Sequence, residues 1–550
     1  MFIENLKKWA LSAPGKWDAG ILSVFILLIT WHPFYLWGRI NLFEMGLYLP
    51  GVDAILHGQI PYRDFLHLRG PFELYIPAWA MHIVGRNFLV IPTYFYLGTL
   101  VTLIVCILIA KEIFSSRIFL YSMTLAFVAR TFPRVSFTIG GGFRFAWGLA
   151  AVYCVLQYLK NKKGLWMVMA GIFSAIGLMT SIEIGVYAFG SIFLTLCFLI
   201  REKLFKSSIL FYSIGAAIIL FPMCLFLQLK GAFIPMLDSY YQISANMIKT
   251  FPQVDPVPQG LGGVLAAMVN PKDVNFKQMT PLFCYVGVLV YGIYLYRRKA
   301  VRLDILCLAL YGLFLFIGSM RSLWGPAFES ALQPEKLLFF FLLERLWTWM
   351  KDSHQRRRQV MAGILLVSIF LSTVVYALPR YQKRFYAAQM TSCLMGKMKR
   401  LSKLFPFSDQ DLVSLSLPGM QGMVVPEQQA RDFQEVSYFI NSHTQPQDRI
   451  VFFPDLGVYH FIVNRPFVGR FPIVSLSWIS PQWHREFMTA LEAQTPKYVV
   501  MYKQLPDYLP TTQLVVPANQ EKYTGVMNYV HENYQIIDST PSLNIWQRKL

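Results

Sequence analysis

Cysteine is scarce in this chain: seven in 550 residues. Six of them (Cys106, Cys154, Cys197, Cys224, Cys284, Cys307) lie in apolar runs, with only Cys393 outside. No CxxC or disulfide framework can be built from them, which excludes a stapled secreted fold and a thiolate metal site. A Walker A sequence is absent, which argues against ATP hydrolysis. Repeated halves, common in transporters, are also missing. No small-residue cleavage signal follows the first apolar run, so that run reads as a retained helix. Acids are few as well, 30 against 50 Lys and Arg, for a net charge of +20. The excess of base does not point to nucleic acid. Its clusters fall between apolar runs, and no basic face carries interleaved aromatics.

What the chain has in quantity is apolar sequence: 55% hydrophobic and 16% aromatic residues. That composition marks an α-helical polytopic membrane protein. Runs long enough for about 30 Å of hydrocarbon cover 20–38, 88–110, 116–132, 143–159, 165–181, 184–200, 207–228, 280–296, 303–319, 335–350 and 359–378. With the soft ends of the shorter runs, about 11–13 transmembrane helices are expected. Alternating them from a cytoplasmic N-terminus gathers the dense basic clusters on one face. These include Lys160, Lys162 and Lys163, then Arg297, Arg298, Lys299 and Arg302, then Arg356, Arg357 and Arg358, as the positive-inside rule requires. Residues 71–85 are apolar but short and hold two prolines, so they read as a re-entrant or interfacial helix. The opposite, extracytoplasmic face then receives loops 39–87, 133–142, 229–279 and 320–334 and everything after 379.

Three regions follow. Residues 1–379 form the membrane module, with 39–87 as first outer loop and 229–279 as second. Residues 380–429 form a basic, amphipathic connector. Residues 430–550 alternate strand-like (DRIVFF, KYVVMY, YQIIDS, SLNIWQRK) and helix-like (EFMTALEAQ, YTGVMNYVHENY) segments, which predicts a small extracytoplasmic α/β domain.

The first outer loop carries the chemistry. Phe43–Tyr75 holds Glu44, Asp53, Asp64, Glu73, Arg63 and Arg69. A carboxylate that shares a compact loop with arginines suits a general base facing an anionic leaving group. Arginine suits phosphate because its planar fork binds two oxygens. Arg134, Arg144 (after Gly140–Gly142) and Arg321 are further outer-face cations, and Glu183 is a further acid. His57, His67 and His82 share the loop region but match no zinc spacing, so no metal ligands are assigned.

Glu44 with Tyr48 four residues on, the Arg69–Pro71 RGP sequence entering a helix, and Gly58-x-x-PYRDF together resemble the GT-C glycosyltransferases that use polyprenyl-phosphate sugars. Protein O-mannosyltransferases and lipid A aminoarabinose transferases are examples. The resemblance implies a GT-C-like fold, with Glu44 at the position of the catalytic Asp. Glu for Asp, and Met45 for a second acid, depart from the pattern and leave Asp64 open as the base. A lipid-phosphate donor needs cations, and of the outer-face arginines Arg69 is the first candidate, with Arg63, Arg134, Arg144 and Arg321 behind it. Tyr48 and Glu183 are further substrate-binding candidates, while Arg144 also reads as an interfacial arginine and Glu183 as a structural ion-pair partner. The resemblance also implies a polyprenyl-phosphate-linked sugar donor, a glycan, lipid or protein acceptor, and inverting transfer at the outer face of a bacterial cytoplasmic membrane. No cofactor is named, and a divalent cation is left open. The C-terminal domain is expected to help bind the acceptor. The rival readings are a transporter or flippase, a non-catalytic assembly partner, and a polymerase or ligase that uses a lipid diphosphate.

Overall fold

The computed structural model describes residues 2–30, 40–131, 143–198, 205–250, 260–270, 279–297, 302–319, 326–352, 355–387 and 412–549. The chain divides into two compact units. The first is Met1–Pro33, Phe95–Leu220 and Asp255–Phe407; the second is Phe34–Tyr94, Phe221–Val254 and Ser408–Leu550.

The first unit is helical. Apolar runs become Asp18–Thr30, Arg117–Thr131, Ala146–Asn161, Gly164–Thr180, Ile182–Cys197, Thr280–Arg297, Leu303–Ser319, Pro326–Lys351 and Arg356–Ala387, with most of Val90–Ile113 and Phe205–Leu229. Among the described residues, Val90–Ile113 and Lys206–Leu229 are long and apolar enough to cross a membrane. The other apolar helices are shorter, such as Gly164–Thr180 and Leu303–Ser319. The Arg356–Ala387 helix runs through position 379, where the connector was expected to begin. Residues 388–411 of that connector lie outside the described residues.

Small and polar residues set the helix crossings in this unit. A Cβ on Gly171 would strike the Tyr212 carbonyl and come within 2.7 Å of the Ala216 amide, and one on Gly215 would strike the Val168 carbonyl. The two backbones therefore touch, a contact open only to residues without a side chain. Tyr212 Oη donates to Ser174 Oγ at 2.8 Å beside this crossing. Buried charge is paired. Arg117 Nε donates to Asp18 Oδ2 at 2.8 Å, and Glu344, fully buried, accepts the Ser115 amide at 2.9 Å.

The second unit is built from three stretches of chain. Its sheet has the order β3-β4-β6-β5, from β3 (Ile450–Phe453), β4 (Tyr498–Tyr502), β5 (Tyr534–Ser539) and β6 (Leu543–Arg548). The hairpin of β1 (Leu412–Ser414) and β2 (Val424–Pro426) is separate. β3 and β4 are parallel, and the other pairings are antiparallel. Helices Glu427–His443, Pro481–Gln494 and Pro517–Asn533 accompany the strands. β3 to β6 and helices Pro481–Gln494 and Pro517–Asn533 stand where the alternating pattern placed them, whereas the β1–β2 hairpin falls in the expected connector and Glu427–His443 was not foreseen. Val451, Phe453, Phe471, Trp483, Phe487, Val499 and Val530 share one core with Leu66 of the first loop.

The loop itself is mostly helix. Leu42–Leu56 starts ahead of Glu44. Phe72–Val84 has 13 residues, about 20 Å of helix at 1.5 Å per residue, too short for the hydrocarbon core. The C-terminal segment grips both. Gln429 clamps the Ile40 backbone from both sides. A Cβ on Gly46 would come within 3.1 Å of the Val458 amide. Arg86 makes a two-pronged pair with Asp53 at 2.6 and 3.0 Å. The same guanidinium lies 3.9 Å over the Phe461 ring and donates to the Phe461 carbonyl.

Gly171→Val should destabilise the detergent-solubilised chain by more than the ~1–3 kcal/mol typical of overpacking, read as a fall in its thermal midpoint, because backbone cannot yield as a side chain does. Gly20→Ala, where nothing lies within 4 Å of the added carbon, should leave the midpoint unchanged or raise it. Equal effects at the two positions would contradict the backbone crossing.

Candidate functional site

The site starts at a helix cap. Asn41 Oδ1 accepts the Glu44 amide at 3.2 Å, opening the Leu42–Leu56 helix. Glu44 therefore sits in the first turn, where the helix dipole favours a carboxylate. Tyr48 follows one turn later on the same face. Arg69 is presented by the turn before the second helix, where the buried Tyr62 hydroxyl donates to the Arg69 carbonyl. Pro71 precedes Phe72–Val84, which puts Glu73 in its first turn.

These side chains converge. Arg69 Nη2 lies 3.9 Å from Glu44 Oε2, and Nη1 lies 3.7 Å from Glu73 Oε2. Arg69 Nη1 also donates to the Tyr48 hydroxyl, which donates onward to Glu73 Oε2 at 2.5 Å. Side-chain exposures are 5% for Glu44, 10% for Arg69 and 0% for Glu73. Tyr94 lies within electrostatic reach of Glu73 and Arg69. Two carboxylates thus share one guanidinium away from bulk water, where charge interactions gain strength. Glu73 is held by the short tyrosine bond, whereas the Glu44–Arg69 contact exceeds hydrogen-bond length. The arrangement offers a carboxylate to take a proton and a cation to meet negative charge, side by side.

Not every predicted residue joins the cluster. Asp64 pairs instead with Arg63, at 2.8 Å from both Nε and Nη2, and accepts the Ile60 amide. The Arg63 hydrogen bond, chiefly, holds the Asp64 carboxyl below the usual range. Arg144 and Glu183 belong to the first unit and meet each other. Arg144 Nη2 donates to Glu183 Oε2 at 3.1 Å and Nε to Ser181 Oγ at 3.0 Å. Arg134 and Arg321 lie outside the described residues. Among the described residues, no group of three or more His, Cys, Asp and Glu is placed to hold a metal ion. Glu73 was the residue missed. Its signal was the four-residue spacing from Arg69 across a helix-starting proline. Asn41 was missed too, although an Asn three residues before an acid is a cap signal.

His67 lies beside this cluster and is 4% exposed. Burial, reinforced by the Arg69 charge, pulls its pKa from 6.5 down to about 3. Burial does the same to His460, also to about 3. Both are neutral when folded. Unfolding restores their affinity for protons, so stability falls as pH drops below about 6.5, by ~1.4 kcal/mol per pH unit per histidine. Thermal midpoints followed from about pH 6 to pH 4 should fall less steeply in His67→Gln, by roughly one proton's share. A slope unchanged from wild type would contradict a neutral buried His67.

No family model matches the chain, and no curated protein does. Solved structures match across nearly its whole length. ArnT from Cupriavidus metallidurans in the apo state is 12% identical, over 96% of this chain and 97% of that one, with a TM-score of 0.54. ArnT from the same organism bound to undecaprenyl phosphate is 11% identical, over 97% and 98%, with a TM-score of 0.53. AglB from Archaeoglobus fulgidus, an archaeal oligosaccharyltransferase in complex with an inhibitory peptide and a dolichol-phosphate, is 13% identical over 97% and 74%, at a lower TM-score of 0.48. Identities this low speak to fold alone: this chain shares the fold of ArnT.

Proposed function

We propose that the chain is a membrane glycosyltransferase that moves a sugar from a polyprenyl-monophosphate donor to an acceptor hydroxyl. It acts at the outer face of a bacterial cytoplasmic membrane. The observation that supports this reading most directly is the buried Glu44–Arg69–Glu73–Tyr48 cluster. The fold shared with ArnT, whose solved structures include one bound to undecaprenyl phosphate, agrees with it.

Glu44 is the base. It takes the proton of the acceptor hydroxyl as that oxygen attacks the anomeric carbon. The bond from carbon to the phosphate oxygen breaks, and its electron pair leaves with the polyprenyl phosphate. Attack opposite the leaving group inverts the centre. Arg69 neutralises the charge that develops on the leaving phosphate. Glu73 and Tyr48 hold Arg69 in place. Asp64 suits the base role less well, since its arginine partner weakens it as a proton acceptor. The multi-pass arrangement, with basic loops inside and the α/β domain outside, is part of the same proposal.

The test is donor turnover. Purified protein in nanodiscs is offered a panel of polyprenyl-phosphate sugars and a native acceptor extract, and free polyprenyl phosphate is followed by mass spectrometry. Glu44→Gln should lower turnover by about 10²–10⁴-fold, the usual contribution of a general base. Arg69→Lys should also lose activity, because the point charge lacks the fork. Asp64→Asn should keep most of it. Consumption of no donor, or a fully active Glu44→Gln, would sink the assignment.

A further inference from the structure

The first unit opens with a helix that the rest of the unit leaves largely bare. Phe2–Leu11 has 10 residues, about 15 Å of helix at 1.5 Å per residue. That is about half of the hydrocarbon thickness, so the helix is no span. It is also shorter than the ~12–15 residues at which an isolated helix is even marginal in water. Residues 4–9 are all exposed. A helix this short and this bare needs a surface to lie on.

Its two sides differ. Leu6, Trp9 and Ala10 share one side, at spacings of three and four residues. Leu6 is 51% exposed and Trp9 44%. Glu4, Lys7 and Lys8 project elsewhere. Lys8 and Glu4 approach only to 4.0 Å, at exposures of 76% and 71%, so the pair does little to cancel the charge. The turn that follows repeats the composition, with Lys16 exposed and Trp17 83% exposed. Lysines beside bare tryptophan and leucine are the composition of helices that lie in a membrane interface.

The fold holds this helix at a fixed height. The Arg117 amide donates to the Ser12 carbonyl at 3.0 Å, and Arg117 Nη1 donates to Ser12 Oγ. Asp18 accepts from Arg117 Nε at 2.8 Å and from the Tyr121 hydroxyl at 3.0 Å. Asp18 and Arg117 are the first residues of their helices, so two apolar helices begin at one level. Phe2–Leu11 hangs from that level, with Trp9 edge-on to Tyr121 at 5.3 Å between ring centroids. Past it, Ile21, Val24 and Leu27 form an exposed apolar stripe on the Asp18–Thr30 helix, the kind of surface that lipid covers. Trp17 stands next to Asp18, where the stripe begins.

Charge selects the occupant. Lys7, Lys8 and Lys16 face one acid, Glu4, because Asp18 is already paired with Arg117. That surplus matches anionic headgroups. A second copy of the same helix would set lysine against lysine. We propose that Phe2–Leu11 with Lys16 and Trp17 forms an in-plane docking surface for anionic phospholipid. Leu6, Trp9 and Trp17 enter the interface, and Lys7, Lys8 and Lys16 meet the phosphates. The contact ties the start of the first apolar helix to the headgroup layer. Lipid docking does not rest on the transferase reading; only the leaflet, the cytoplasmic one that the basic loops face, is shared with it.

The experiment uses the full-length chain, one copy per nanodisc, in phosphatidylcholine alone or mixed with phosphatidylglycerol. Hydrogen–deuterium exchange of residues 2–17 is followed by mass spectrometry. Exchange should be at least about tenfold slower with phosphatidylglycerol, since each lysine at an anionic surface adds to the attraction. High salt should shrink the difference. Replacing both lysines, Lys7→Gln with Lys8→Gln, should remove most of it. Leu6→Ser should speed exchange in both lipids, because docking scales with the apolar area buried. Exchange within Arg117–Thr131 and the thermal midpoint should stay the same in every variant, which separates undocking from misfolding. Equal exchange in the two lipids, a difference that survives the double substitution, or protection that appears only with two copies per disc would each overturn the proposal. Donor turnover on the same discs keeps the two proposals apart. Lipid-dependent protection without turnover refutes the transferase and leaves the docking surface, and turnover with lipid-independent exchange does the reverse.

Discussion

The arginine shared between Glu44 and Glu73 is the contact around which the first loop is organised. Burying two carboxylates is costly unless each finds a partner. One guanidinium meets both, with Tyr48 bridging to the second. That requirement fixes the phase of two helices and the course of the turn between them. Asn41 must cap the first helix so that Glu44 falls in its opening turn. Pro71 must precede the second so that Glu73 falls in its own. Tyr62 must hold the Arg69 carbonyl so that the guanidinium points at both. Loss of any of these would leave charge in a place where water cannot screen it.

The two units rely on different physics. In the first, helices close on one another through residues with no side chain, Gly171 and Gly215, and through buried hydroxyl pairs such as Tyr212 and Ser174. Such contacts retain their value where every surface is apolar. In the second, an aromatic and aliphatic core under a four-stranded sheet provides the mass, and charged clamps provide the register. The Arg86–Asp53 fork and the Gln429–Ile40 clamp fasten the loop to the sheet domain. The loop is thereby a structural part of the C-terminal domain.

Much of this was legible in the residues. Apolar runs gave away the helices, and period-two alternation gave away β3, β4, β5 and β6, because both patterns are local. Glu44 and Tyr48 could be paired because four residues is one helical turn. Glu73 lies one turn after Arg69 in a segment that reads as a helix, but nothing local announces that it and Glu44 meet the same guanidinium. The joining of residues 34–94 to residues 408–550 left no local trace, since nothing near Asp53 announces that its partner is Arg86 or that Arg86 also reaches Phe461.

The span of these clamps has a consequence for biosynthesis. Ile40 and Gln429 are 389 residues apart in sequence, and Arg86 and Phe461 are 375 apart. At ~5–20 residues per second, a ribosome delivers Gln429 roughly 20–80 s after Ile40. For that interval the first loop exists without the surface it packs on. A ribosome that stalls or terminates before about residue 460 therefore releases a chain whose first unit is complete but whose acidic loop lacks much of the surface it packs on. Full-length translation is itself a condition for fastening the loop that carries the cluster.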